Sequence, residues 1–149
     1  FIISAIDAFN KTVIDGNIDL IAKAHDAVRV VKNAIRRRNI KATDLLVLSR
    51  DNGPQFLVKA FREAMDKLDI IHKRIPIQHP NMNAYIESFY SILEEAGMSL
   101  IHLPKLMNYT EYLDYYNNRH RHGSLSNMAP ADFYRFHQHT IDNNLEQAT

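Results

Sequence analysis

Two acidic residues stand where a carboxylate can do chemistry. Asp51 follows the apolar run Leu45-Leu46-Val47-Leu48, inside Ser49-Arg50-Asp51-Asn52-Gly53-Pro54. In open α/β sheets, ligand chemistry gathers at the carboxyl ends of strands. Glu87 lies about one turn inside a segment of helical spacing, on the side away from Ile86, Phe89 and Leu93. Each acid also has a plain structural reading: an Asp before Asn-Gly is a turn former, and a Glu in a helix's first turn complements the helix dipole. The histidine pairs His120/His122 and His137/His139 raise the question of zinc, but their spacing matches no finger and cysteine is absent.

The elements that must position these residues follow from hydrophobic period and turn chemistry. FIISAI reads as a buried strand entering a turn at Asp7-Ala8-Phe9-Asn10, and 11–18 as a second strand with Gly16 as a bulge. From about Asp19, taken as an N-cap, Ile21, Ala24, Val28, Val31 and Ile35 predict an amphipathic helix with a basic end at Arg36-Arg37-Arg38. The run 45–48 predicts a strand buried on both faces. Pro54 suits a first helical position, and Phe56, Ala60, Phe61, Ala64 and Leu68 continue one helix from it. A short strand over 70–75, a loop with Pro76 and Pro80, and a helix over 83–97 complete a β-β-α-β-α-β-α order, the pattern of a layered α/β domain. Tyr109, Tyr112, Leu113 and Tyr116 then form a helical stripe that reads as core. Pro130 opens a last short helix through Phe133 and Phe136.

Composition narrows the class. A chain of 149 residues suits one domain with a sizeable core, and no apolar run approaches the roughly 20 residues of a membrane span. A formal charge of +1 argues against wrapping nucleic acid by bulk electrostatics, so any DNA contact must come from local patches.

Three segments in order carry a resemblance. Arg50-Asp51-Asn52-Gly53-Pro54-Gln55-Phe56, then Pro80-Asn81-Met82-Asn83-Ala84-Tyr85-Ile86-Glu87-Ser88-Phe89, resemble the second and third acidic motifs of the integrase-type DDE transposases of bacterial insertion sequences, whose cores are related to retroviral integrases. The two acids are separated by 35 residues, the family's spacing. Tyr115-Tyr116-Asn117-Asn118-Arg119-His120-Arg121-His122-Gly123-Ser124-Leu125, with Ala129-Pro130-Ala131-Asp132-Phe133, resembles the family's closing motif. Two departures stand out: His120 occupies a position usually held by Arg, and Met82 one often held by an acid.

The resemblance implies a ribonuclease H-like integrase catalytic core over 1–104, lacking its first strand, with a helical C-terminal extension of the same domain over 105–149. It implies DNA cleavage and strand transfer by metal-dependent phosphoryl transfer. Asp51 and Glu87 would be ligands of a two-metal Mg²⁺ or Mn²⁺ site, since hard cations prefer oxygen donors. Asn52, Gly53, Gln55 and Asn83 are candidates for supporting that site. Lys73, Arg74, Arg119, Arg121 and His122 are candidates for DNA contact, and the Lys32, Arg36–Arg38 and Lys41 group is a weaker one. The implied partners are DNA, as terminal repeats and target, and further copies of the chain. The implied setting is the bacterial cytoplasm at the nucleoid, with no membrane.

The family's first catalytic Asp would precede Phe1, on a strand central to the sheet. Asp7 is no substitute, because it matches an acid at the end of the second strand and reads as a turn former. Loss of a central strand leaves unpaired edges, to be filled by another chain or by rearranged pairing. The chain as given is therefore expected to lack strand-transfer activity. A non-catalytic DNA-binding or dimerisation module derived from a transposase is the alternative, and a nuclease on the same fold a third.

Overall fold

The computed structural model describes residues 1–21, 23–41, 43–51, 53–74, 84–95 and 109–147. Strands β1 (Ile2–Ile6) and β2 (Val13–Ile18) are joined through a turn built by Asp7. Its carboxylate accepts the N–H groups of Phe9 at 2.9 Å and Asn10 at 3.4 Å, while its own N–H donates to the Thr12 carbonyl at 2.9 Å. Lys11 takes the left-handed conformation, φ 60°, that closes the loop.

At the other end of the hairpin, Phe1 and Asp19 exchange hydrogen bonds. The Phe1 nitrogen donates to the Asp19 carbonyl at 2.6 Å and the Asp19 N–H to the Phe1 carbonyl at 3.0 Å. This moves the first helix from where local pattern puts it. Asp19 is spent on the hairpin instead of capping, Leu20 and Ile21 are exposed, and helix α1 (Ala24–Arg37) begins from an extended Lys23. The face of α1 that is buried centres on Ala27, Val30, Val31 and Ala34.

A charged network fixes α1 to β2. The Asp15 carboxylate, 7% exposed, takes an ion pair from Arg37 at 3.1 Å and a hydrogen bond from the Asn33 amide at 3.0 Å. Arg37 also donates to the Ile14 carbonyl at 2.7 Å. Placing Arg36 and Arg37 in the last helical turn suits the dipole.

Strands β3 (Val47–Arg50) and β4 (Ile71–Arg74) pair in parallel, from Val47 opposite Ile71 to Arg50 opposite Arg74. The expected strand over 45–48, buried on both faces, is corrected in both position and exposure. Leu45 is 79% exposed and Val47 43%, whereas Leu48 is half-buried and Arg50 buried. Helices cover one face of the strand, so its two-residue period sends alternate side chains outward. The single helix expected after Pro54 is likewise two: α2 (Pro54–Leu57) and α3 (Lys59–Lys67), split at an extended Val58 with ψ 140°. The break sets the Phe56 ring edge-on to Phe61 at 5.2 Å. In a continuous helix, positions five apart diverge by about 140° and would not meet.

One apolar cluster joins these pieces: Ile3 of β1, Ala27, Val30 and Val31 of α1, Phe61 and Met65 of α3, and Ile70, with Leu46, Leu48 and Phe56 against it. Among the described residues the strands form two sheets of two, β1 with β2 and β3 with β4. Among the described residues β1 and β3 do not pair with each other. Helix α4 (Ala84–Glu95) buries Phe89 and Leu93 as its spacing predicts. The expected helix ends at 83, 96 and 97 lie outside the described residues.

The chain divides into two compact units, one of 1–6 and 14–102, the other of 7–13 and 103–149. In the second, α5 (Tyr109–Asn118) buries Tyr109, Tyr112 and Tyr116, a 3₁₀ turn spans Gly123–Leu125, and α6 (Pro130–Gln147) is longer than its sequence suggests. Among the described residues no helix is long and apolar enough to cross a membrane.

Candidate active site

Asp51 sits immediately past the carboxyl end of β3, exposed, with Oδ1 accepting the Gly53 N–H at 2.8 Å. That Asx turn uses one lone pair and leaves the carboxylate otherwise open for ligation. Its neighbour Arg50 does the anchoring. The buried guanidinium donates to the Asp51 carbonyl at 3.1 Å and lies 6.0 Å from the centre of the Phe56 ring. Gly53 precedes Pro54 at the start of α2, and the Gln55 side chain folds back over it: a Cβ on Gly53 would come within 2.5 Å of Gln55 Nε2. Gln55 is flexible enough to move aside and φ is −53°, so neither space nor backbone conformation demands glycine here.

Glu87 is exposed in the first turn of α4, with Phe89 and Leu93 buried on the far side. One turn later on Glu87's face stands Tyr90, which sequence reasoning passed over. Its hydroxyl donates to the Ile2 carbonyl of β1 at 3.2 Å. Burial raises the phenol's pKa above its usual value, hydrogen bonds from Ser4 oppose this, and the negative charge of Asp51 adds to the rise. Tyr90 thus ties α4 to β1. The i, i+3 relation to Glu87 was the available signal.

Among the described residues, no group of three or more His, Cys, Asp and Glu side chains is placed to hold a metal ion. Asp51 and Glu87 each offer the oxygen donors that hard divalent cations prefer. Asn52 and Asn83 lie outside the described residues.

The basic candidates separate. Lys73 is exposed on β4, with Arg74 beside it in the strand. On α1, His25, Arg29, Lys32 and Arg36 line an open cleft, while Arg37 is committed to Asp15. In the second unit Arg119 and Arg121 are exposed, but His122 is 7% exposed. The His122 ring packs edge-on to Tyr116 at 5.0 Å and to His120 at 4.8 Å. The His122 backbone N–H donates to the Met128 carbonyl at 3.1 Å, and its backbone carbonyl accepts from the N–H groups of Leu125 and Asn127, both at 3.0 Å. Burial first, then the positive charges of His120 and Lys11, lower its pKa to about 4.

With this geometry in view, the likeness to known proteins is specific. Over 76% of its length the chain superposes, with TM-score 0.60 and 19% identity, on a chain of the simian T-cell lymphotropic virus intasome in complex with PP2A regulatory subunit B56 gamma. It superposes over 94% of its length on the catalytic core domain of BIV integrase, with TM-score 0.61 and 19% identity, covering 88% of that domain. The fold is that of an integrase catalytic core. In sequence, the chain is 25% identical over 146 residues to the "uncharacterized 31.7 kDa protein" of insertion element IS407 from Burkholderia multivorans (strain ATCC 17616 / 249). The chain spans 50% of that relative's length and 41% of the intasome chain's. No family model matches it. The chain is thus similar in sequence to an insertion-element protein and in fold to integrase catalytic cores, with Asp51 just past a strand end and Glu87 on a helix.

Proposed function

We propose that this chain is the catalytic-core portion of a transposase that cuts and joins DNA by metal-dependent phosphoryl transfer, with Asp51 and Glu87 as carboxylate ligands of Mg²⁺ or Mn²⁺. The observation that supports it most is the placing of two exposed carboxylates, one just past β3 and one in the first turn of α4, on an integrase-core fold. A bound divalent ion supplies Lewis acidity, polarising a phosphoryl oxygen and lowering the pKa of a bound water or hydroxyl.

The protein's own groups have separate tasks. Arg50 holds the Asp51 backbone through a hydrogen bond to its carbonyl, which helps fix the loop that presents the carboxylate. The Asx turn to Gly53 restricts its rotation. Lys73 on β4, with Arg119 and Arg121 in the second unit, are exposed cations suited to DNA phosphates. The DNA of terminal repeats and target, and association with further copies of the chain, belong to this reading.

Mn²⁺ titration of the wild-type chain against Asp51→Asn and Glu87→Gln tests it. Both variants should bind more weakly than wild type, and equal binding by all three overturns the ligand assignment.

A further inference from the structure

Helix α1 turns one face to the core and a chemically different face away from it. At about 100° per residue, His25, Arg29, Lys32 and Arg36 fall on one stripe, diametrically opposite the buried Ala27, Val30, Val31 and Ala34. With Val28 and Asn33 they line an open cleft, to which neither Asp51 nor Glu87 belongs. Of the basic residues grouped by sequence alone, Arg37 is spent on Asp15, while His25 and Arg29 join Lys32 and Arg36.

Two guanidiniums of the stripe are anchored at one corner. Arg29 donates to Oδ1 of the buried Asp26 at 3.0 Å, and Arg36 to Asn33 Oδ1 at 3.3 Å. Each guanidinium has further N–H donors to offer. Lys32 stands between them, exposed, with no hydrogen-bond or ion-pair partner among the described residues. This spacing does not serve the helix. Cations three and four residues apart on one face repel, and within the stripe only Arg36 lies in the last turn, where the dipole favours positive charge. The like charges weaken the free helix, and an anionic partner laid along the stripe reverses the sign of their contribution.

We infer that the outer face of α1 is a docking surface for duplex DNA, on which Arg29, Lys32 and Arg36 hold backbone phosphates without reading sequence. The inference rests on the reading of the chain as a core that cuts and joins DNA, but uses neither carboxylate. Charge complementarity selects the partner. Arg29 and Arg36 are two turns apart, about 10.5 Å along the axis, with Lys32 between them. That straight row of cations matches the uniform row of charges on a nucleic-acid backbone. A second copy is a poorer occupant, because a two-fold contact through this face would set the stripe against itself.

Fluorescence anisotropy with a labelled duplex of arbitrary sequence, in EDTA and over a range of salt, tests it without the metal. Wild type is compared with Arg29→Gln/Lys32→Gln/Arg36→Gln and with the charge-matched Lys59→Gln/Arg62→Gln/Lys67→Gln, three exposed cations of α3. The α1 variant should bind more weakly, its slope of log affinity against log salt shallower by about 0.9 for each cation removed. The α3 variant should keep the wild-type slope. No duplex binding by wild type, equal binding by wild type and the α1 variant, or an equal loss in both triple variants overturns the inference. None of these outcomes touches the two carboxylates, whose ligand role Mn²⁺ titration of Asp51→Asn and Glu87→Gln decides separately. Should the α1 variant fail to fold, acetylation of the wild-type chain, read by mass spectrometry, replaces it: DNA should protect Lys32 and leave Lys59 reactive. Equal acetylation of Lys32 with and without DNA overturns the inference. So does protection that rises with protein concentration alone, which puts a second copy on the face, or that poly-glutamate matches, which puts an acidic protein segment there.

Discussion

The side-chain amide of Asn117 makes with Val13 both hydrogen bonds that a backbone peptide would make. Its Oδ1 accepts the Val13 N–H at 2.9 Å and its Nδ2 donates to the Val13 carbonyl at 2.9 Å. A residue in the last turn of α5 thereby ties down the start of β2 across 104 positions of sequence. Both partners are half-buried or more, so neither set of polar groups is readily rehydrated if the other is lost.

Asn117→Ala should therefore cost about 2–3 kcal/mol, two hydrogen bonds with partly desolvated partners. Asn117→Asp should be no better, because a carboxylate oxygen would face the Val13 carbonyl in place of a donor. Urea unfolding of the full chain measures both, and an Asp variant as stable as wild type would contradict the two-bond geometry.

Asp15 offers a second test. It holds Arg37 and Asn33 against β2 while itself nearly buried. Because Arg37 is half exposed, the ion pair is partly screened, and Asp15→Ala should cost about 2 kcal/mol, less than a fully buried pair. Asp15→Asn, which keeps the shape and an acceptor for Asn33, should cost about half as much. Hydrogen exchange of the α1 amides reports the loosening directly.

His122 gives the second unit a pH dependence of definite sign. The ring is buried and its pKa is lowered from 6.5 to about 4, so the unfolded chain takes up a proton at a higher pH than the folded one. Stability is fully present above about pH 6.5, falls as the pH drops from there toward 4, and levels off below. The loss should be about 1–2 kcal/mol after allowance for solvent screening. Protection of the α5 amides should fall over that window in wild type, and the slope should vanish in His122→Phe, which keeps an aromatic ring against Tyr116.

Arg50 has a prediction of its own. Arg50→Met retains the chain's apolar length but loses the bond to the Asp51 carbonyl and the contact with Phe56. Mn²⁺ affinity should drop by about tenfold, with the far-ultraviolet circular dichroism unchanged. Arg50→Lys should recover only part of it, since an ammonium cannot reproduce the planar fork.

Much of the fold was legible in the chain. Hydrophobic runs placed the four described strands within a few residues, helical spacing identified α4 and α5, and the turn chemistry of Asp7 was local enough to read directly. Wherever a residue had two uses, only the fold chose between them. Asp19 can cap a helix or close a hairpin, and it closes the hairpin because Phe1 is brought back to it. The run 45–48 can suit a two-sided or a one-sided strand, and the covering helices decide. Val58 lies within the span of one apolar period, yet the helix breaks there and Phe56 packs on Phe61.

The same division holds for the candidate site. Local order alone picked out Asp51 after a strand and Glu87 on the polar side of a helix, because burial period and turn preference are properties of neighbouring residues. The long-range contacts came only from tertiary structure. Tyr90 meets Ile2 across 88 positions, Asn117 meets Val13 across 104, and His122 passes from a polar basic run to the interior. A hydrogen bond between distant residues leaves no periodic trace in a sequence. It exists only once the backbone has folded its two ends together.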